Sequence, residues 1–174
     1  MSRYVRARQA GGIWFFTLVT AERRRWLGTE VGLEAFRSSY RAVVADQPFE
    51  TPAMVVLPDH LHCIWRLPAD DGDFSGRWQR IKRRTTEAMR RQGIEGSLWQ
   101  PRFWEHLIRD ERDLRAHLDY VHYNPVRHGL VRLAAEWSAS SIHRYIRAGW
   151  YPADWGVADP DGLEAAVLAN GGDP

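Results

Sequence analysis

Apolar and polar positions alternate or cluster along the chain in a pattern that predicts four strands and three main helices. Gly11-Gly12 opens the run Ile13-Trp14-Phe15-Phe16-Thr17-Leu18-Val19-Thr20, whose aromatic and β-branched content predicts a buried strand. After a basic turn at Arg23-Arg24-Arg25, apolar residues at Val31, Ala35, Tyr40 and Val43/Val44 fit a helix that Pro48 closes. Residues 49–57 and 60–67 predict two strands joined as a hairpin at Pro58-Asp59. A helix is expected over 74–92, with Ser75 near its start and Gly93 past its end. Residues 97–108 predict a broken strand, with Pro101 at an edge or bulge. A helix follows over 109–123, and Asn124-Pro125 is expected to stop or kink it, because the residue before a proline disfavours helical geometry. A short helix through Gly129-Leu130 and another over 142–148 complete the predicted elements, with a helical turn possible at 163–168. The order strand–helix–strand–strand–helix–strand is that of a split βαβ, a ferredoxin-like antiparallel sheet of the α+β class. Helices cover its faces, and a helix is added toward the C-terminus.

Composition narrows the class. The 174 residues are 44% hydrophobic and 26% charged, enough apolar mass for a core. No apolar run is long enough to span a membrane and no secretory leader is evident, so a cytoplasmic protein is expected. A single cysteine, Cys63, excludes an internal disulfide and any multi-cysteine zinc site. Residues 1–156 read as one domain, and 157–174 as an acidic tail expected to be mobile. That tail holds Asp159, Asp161, Glu164 and Asp173; removing these four from the 22 acidic residues leaves 18 against 24 bases in the body. All but one of those bases, Lys82, are arginines, whose guanidinium forks suit phosphate and stack on bases. Nine tryptophans supply core and, in part, stacking platforms.

Five sets of residues can carry chemistry. His60 and His62 are two apart on a strand and share a face, where two imidazoles can chelate one divalent cation with positions left open, or can be a structural pair. Tyr120 and Asn124 are one helical turn apart. A tyrosine hydroxyl in such a place is a covalent nucleophile or simple packing; the amide is a third ligand or a helix cap. His106 either approaches the same site or holds a backbone carbonyl, and the second reading is preferred. Glu87 and Glu105 can bind metal, although no spacing selects them. Arg77, Arg80, Lys82, Arg83, Arg84, Arg90 and Arg91 crowd one helix, opposed only by Glu87. With Arg23, Arg24, Arg25 and Arg102 they suggest a phosphate-backbone footprint rather than a solvated face.

These motifs resemble a known family. Val55-Val56-Leu57-Pro58-Asp59-His60-Leu61-His62-Cys63-Ile64-Trp65 is similar to the histidine–hydrophobe–histidine strand of the single-tyrosine HUH transposases. Tyr120-Val121-His122-Tyr123-Asn124-Pro125-Val126-Arg127-His128-Gly129-Leu130-Val131 is similar to their tyrosine helix. Gly11-Gly12-Ile13-Trp14-Phe15-Phe16-Thr17, Trp99-Gln100-Pro101-Arg102-Phe103-Trp104-Glu105-His106 and Gly149-Trp150-Tyr151-Pro152-Ala153-Asp154-Trp155 resemble the REP-associated tyrosine transposases in particular. The resemblance covers residues 4–156 and implies a ferredoxin-like fold, cleavage and rejoining of single-stranded DNA, and recognition of imperfect DNA hairpins of the REP type. It implies His60, His62 and Asn124 as ligands of Mg²⁺ or Mn²⁺ and Tyr120 as nucleophile, in a monomer rather than a dimer. Tyr120 is chosen over Tyr123 because it lies one turn from Asn124. A hairpin-binding protein that does not cut, and a metal nuclease that uses water, are the competing readings.

Overall fold

The computed structural model describes residues 9–156. Eight regular elements follow one another: β1 (Ile13–Val19), α1 (Glu30–Asp46), β2 (Glu50–Val56), β3 (His60–Arg66), α2 (Phe74–Arg91), β4 (Trp104–Leu107), α3 (Glu111–Arg127) and α4 (Ile142–Arg147). The sheet runs β2-β3-β1-β4 with every neighbouring pair antiparallel, which is the ferredoxin-like split βαβ arrangement that the sequence predicts.

Strand alternation sorts the side chains into two clusters. Trp14, Phe16 and Leu18 of β1 and Leu61, Cys63 and Trp65 of β3 face α1 and α2, where they meet Phe36, Phe74, Trp78 and Ile81. Phe15 of β1, Ile64 of β3 and Ala53 and Val55 of β2 face the other way, against Leu118, Tyr120 and Val121 of α3. Both faces of the two central strands are therefore covered, which explains their nearly continuous apolar runs. Among the described residues, no helix is long and apolar enough to cross a membrane.

Each long helix starts at a side-chain cap. Thr29 accepts from the Gly32 amide at 3.0 Å, Asp73 from Gly76 at 2.8 Å and Asp110 from Asp113 at 2.8 Å. Asp73, rather than Ser75, opens α2. Position 32 has no room for a side chain, since a Cβ on Gly32 would lie 2.0 Å from the Trp26 carbonyl oxygen.

Three expectations change. The strand expected over 97–108 is regular only from Trp104 to Leu107; Trp99 makes an isolated bridge to Thr20, with Pro101 between the two pieces. The expected stop at Asn124-Pro125 does not occur, nor does a separate helix after it: α3 runs through Pro125 to Arg127. So near the helix end, proline removes only the bond its own N–H would make to the Val121 carbonyl. The turn is held instead by His128 N–H to Asn124 O at 3.0 Å and Leu130 N–H to Pro125 O at 2.9 Å. Gly129, at φ 64°, then takes the left-handed step that ends the helix. The helical turn possible at 163–168 and the acidic tail lie outside the described residues.

Candidate active site

The β3 register carries His60 and His62 onto the α3 side of the sheet, opposite Val19 and Thr17 of β1. Both imidazoles are buried and their ring centres are 5.1 Å apart. Each has its Nδ1 held: that of His60 by the Asp59 carboxylate at 2.6 Å, that of His62 by the Thr17 hydroxyl at 2.8 Å. A carboxylate can only accept, so neutral His60 carries its proton on Nδ1 and keeps the Nε2 lone pair for a ligand. Partial burial raises the Asp59 carboxyl, but its hydrogen bond to His60 and Arg23 at 3.5 Å outweigh this and hold it below the usual range.

Helix α3 and its C-cap residue lay three side chains along this pair at one-turn intervals. The Tyr120 ring, 2% exposed, stands edge-on to His62 at 5.3 Å. The His128 ring lies 4.9 Å from His60. Asn124 comes midway between them on the helix, which puts it opposite the two histidines. It is fully buried, and neither its Oδ1 nor its Nδ2 has a hydrogen-bond partner among the described residues. A buried amide left in that state costs about 1–3 kcal/mol, so it calls for a partner beyond the described residues, and a cation on Oδ1 is one that would fit. Two imidazole nitrogens and one amide oxygen form an incomplete donor set that fits a divalent ion with open positions. Tyr123 lies elsewhere, with its ring 6.4 Å from Trp155. A cavity of 240 Å³ opens beside His60, walled by Pro58, Leu130, Asp59, Arg25 and His128.

The sequence reading missed two polar networks that hold α3. In the first, the Asp113 carboxylate receives His106 Nε2–H at 2.9 Å together with the Arg109 amide at 3.0 Å and Nε–H at 3.1 Å. His117 donates Nδ1–H to the Asp113 main-chain oxygen at 2.8 Å. Burial raises Asp113, but the His106 and Arg109 bonds outweigh it and bring it down to about 2. Burial lowers His117. The ligating atoms of His106, Asp113 and His117 lie within 4.8 Å of one another, yet one Asp113 oxygen already accepts three N–H groups, among which the Arg109 guanidinium brings a positive charge. His106 therefore binds a carboxylate, not the backbone carbonyl expected. Asp113 and His117 are one turn apart in sequence; the His106 contact, from another element, has no sequence signal.

In the second network, the Ser141 hydroxyl accepts from the Met54 amide at 2.9 Å and donates to His122 Nε2 at 2.8 Å. His122 Nδ1 faces the Tyr151 hydroxyl at 3.4 Å, and that hydroxyl donates to Asp119 at 2.5 Å. Burial lowers His122 to about 3, and the Arg144 charge adds to this. The Gly149–Trp155 motif thus clamps the outer side of α3.

The basic residues divide. Arg77 is not a surface base: it is 2% exposed, paired with Asp71 at 2.5 Å, and donates to the Gln47 and Asp73 carbonyls. It belongs to the buried face of α2, and periodicity alone could not place it there. Arg80 is exposed and meets Asp46 at 2.9 Å; Arg83 and Arg84 are exposed. Lys82 donates to the Gln100 carbonyl and lies over Trp99 and Phe103. With Arg83, Arg90, Trp99 and Gln100 it lines an open groove of 680 Å³, on the sheet face opposite α3. Arg102 is exposed beyond that groove. Arg24 bonds the Ser97 carbonyl, Arg23 meets Asp59, and Arg25 lines the cavity at His60. The Arg23-Arg24-Arg25 turn therefore joins the groove to the histidine pair around the sheet end.

Comparisons with known proteins identify the relatives of the chain. No family model matches the chain. The REP-associated tyrosine transposase of Escherichia coli (strain K12) is 47% identical over 155 residues, covering 89% of this chain and 91% of that protein. A Haemophilus influenzae protein of the same family name is 42% identical over 171 residues, covering 92% and 96%. A solved structure of a REP-associated tyrosine transposase bound to a REP hairpin matches with TM-score 0.81 at 44% identity, covering 92% of this chain and 96% of that one.

Proposed function

This chain belongs to the REP-associated tyrosine transposases, and we propose that it cuts and rejoins single-stranded DNA beside REP-type hairpins, with Tyr120 as nucleophile. The observation that carries the proposal is the packing of Tyr120 on the His62 ring, one helical turn from a buried asparagine with no hydrogen-bond partner among the described residues.

The Tyr120 oxygen attacks the scissile phosphorus in line. The Oη–P bond forms as the P–O3′ bond breaks, leaving a 5′-phosphotyrosine and a free 3′-hydroxyl. His60, His62 and Asn124 would hold Mg²⁺ or Mn²⁺, which when bound draws charge from a non-bridging phosphate oxygen. Asp59 and Thr17 keep the two imidazoles from turning. The buried setting of Tyr120 favours attack by its hydroxyl over attack by water. Because the phosphoester energy is kept in the protein–DNA bond, another 3′-hydroxyl can reverse the step. The sequence accordingly carries no Walker motif.

The groove beside α2 and the arginine turn hold the hairpin backbone by phosphate contacts. The described residues of one chain bring Tyr120, Asn124 and both histidines together, which supports action as a monomer. Residues 1–156 form the transposase domain, working in the cytoplasm, and 157–174 an acidic appendage.

The test is incubation with single-stranded REP DNA and Mn²⁺, followed by a denaturing gel. A covalent protein–DNA band that is lost in Tyr120→Phe supports the reading. Cutting without an adduct would instead make the protein a water-dependent nuclease, and binding without cutting a hairpin-binding protein.

A further inference from the structure

We propose that Arg127 is a catalytic residue of the strand-transfer reaction, holding the Tyr120 oxygen and neutralising charge on it and on the scissile phosphate during both cleavage and rejoining. The inference rests on the reading of Tyr120 as nucleophile. Arg127 Nη1–H donates to the Tyr120 hydroxyl at 3.3 Å, and its guanidinium carbon stands 5.6 Å from the centre of the same ring.

That contact depends on the helix continuing through Pro125. Arg127 is seven residues, two turns, beyond Tyr120, and helical side chains lean toward the N-terminus, so it reaches back along the face that carries Asn124. Had the helix stopped at Asn124, the guanidinium would have left that face. Arg127 is also half-buried, where a charge–charge attraction is less weakened by water than at an open surface.

The chemistry gives this group work in both directions. As the Oη–P bond forms and P–O3′ breaks, the phenolic proton passes to water and the 3′-oxygen takes one from water. Negative charge moves from the tyrosine oxygen onto the phosphoryl oxygens, and a guanidinium fork can bond both at once, which an ammonium cannot do with the same geometry. In rejoining, the tyrosine oxygen is the leaving group, and the same N–H stabilises it as it departs.

Single-turnover adduct formation by the full chain, at saturating single-stranded REP-hairpin DNA with Mn²⁺, tests the proposal alongside a separate hairpin-binding measurement. Arg127→Ala should lower the adduct rate about 100-fold, the loss typical when one donor to a developing oxyanion is removed, with hairpin affinity unchanged. Added methylguanidinium should restore much of the rate, and Arg127→Lys should retain part of it. A wild-type rate in Arg127→Ala overturns the proposal. So does a defect that more DNA corrects, which would make Arg127 a backbone contact, and so does a slow rate that methylguanidinium leaves unmoved, which would make its role structural. If Arg127→Ala does not fold, Arg127→Gln carries the same test. Tyr120→Phe is run beside them: an adduct from that variant would overturn the nucleophile assignment itself.

Discussion

The two faces of one sheet have been put to opposite uses. Toward α1 and α2 the strands present carbon: Trp65 stacks on Trp78 at 4.2 Å, and Phe16 and Phe49 close around the pair. Toward α3 the same strands present Thr17, His60 and His62, and the helix answers with Tyr120, Asn124 and His117, all buried. Each buried polar group on that side is expensive unless satisfied. His60 is held by Asp59, His62 by Thr17, His117 by the Asp113 main chain and Tyr120 by Arg127. Alternation with period two lets adjacent residues of β3 serve stability and chemistry separately. Substitutions of the tyrosine and the histidine pair should therefore cost the reaction, and those in the α1–α2 core should cost stability.

The largest effects belong to the α3 face. Tyr120→Phe keeps the ring and should abolish cleavage and adduct while leaving the melting temperature and hairpin binding near wild type; Tyr123→Phe should retain both activities. Loss of the adduct in Tyr123→Phe instead would move the nucleophile. His60→Ala or His62→Ala should also stop cleavage with binding largely intact, and a wild-type rate in either at limiting Mn²⁺ would remove that residue from the ligand set. On the other face, Trp78→Ala should cost about 3–5 kcal/mol of stability by emptying a buried site, read as a drop in the denaturation midpoint. A well-folded Trp78→Ala protein that binds hairpins but cannot cut would break the division between faces.

A second contrast lies within α2, between one arginine turned inward and its neighbours turned out. Arg77→Ala removes a buried guanidinium and leaves the Gln47 and Asp73 carbonyls without that donor, so it should cost about 1–3 kcal/mol of stability, without altering the salt dependence of DNA binding. Replacing Arg80, Arg83 and Arg84 by Ala should do the reverse. Stability should hold, while the slope of log affinity against log salt flattens by roughly 0.7–0.9 for each phosphate no longer neutralised. A salt slope unchanged by the triple replacement would make that surface a solvated one.

How much of this could be read from the sequence follows the range of the interactions. The histidine pair on β3 and the tyrosine–asparagine turn on α3 depend on spacings of two and four, which local periodicity displays. The strand–helix order was legible for the same reason. Arg77 was misplaced because its partners come from the preceding loop and the end of α1, contacts that no spacing within α2 reveals. The His106–Asp113–His117 network joins β4 to α3 and is invisible in the same way. Pro125 misled because its local rule is sound, but this helix forgoes just one bond there and is held by burial of Val121 and Asn124 around it. That one exception carries Arg127 and His128 to the site.

The smallest effect expected is a pH dependence of stability that also belongs to the α3 face. His122 is buried with Nε2 accepting from Ser141, so the folded protein holds it neutral, its pKa lowered to about 3 against an ordinary 6.5. A histidine whose folded pKa is depressed contributes stability above its unfolded pKa and loses it as pH falls toward the folded value. Between pH 6.5 and pH 5 the unfolded chain takes up a proton that the native site refuses, a loss of roughly 2 kcal/mol at 1.36 kcal/mol per pH unit. His117, lowered by burial, acts in the same direction. Asp113, held at about 2 against 3.8, begins to lose its contribution only below about pH 4, so it does not mask the effect in this window. The α1–α2 face offers no described histidine to add to it. Chemical denaturation at pH 7 and at pH 5 should therefore show a fall in stability that His122→Gln reduces, even though His122→Gln is itself less stable at pH 7. An unchanged pH dependence in His122→Gln would shift the titration to His117, and a wild-type protein equally stable at both pH values would mean that neither histidine is held neutral by the fold.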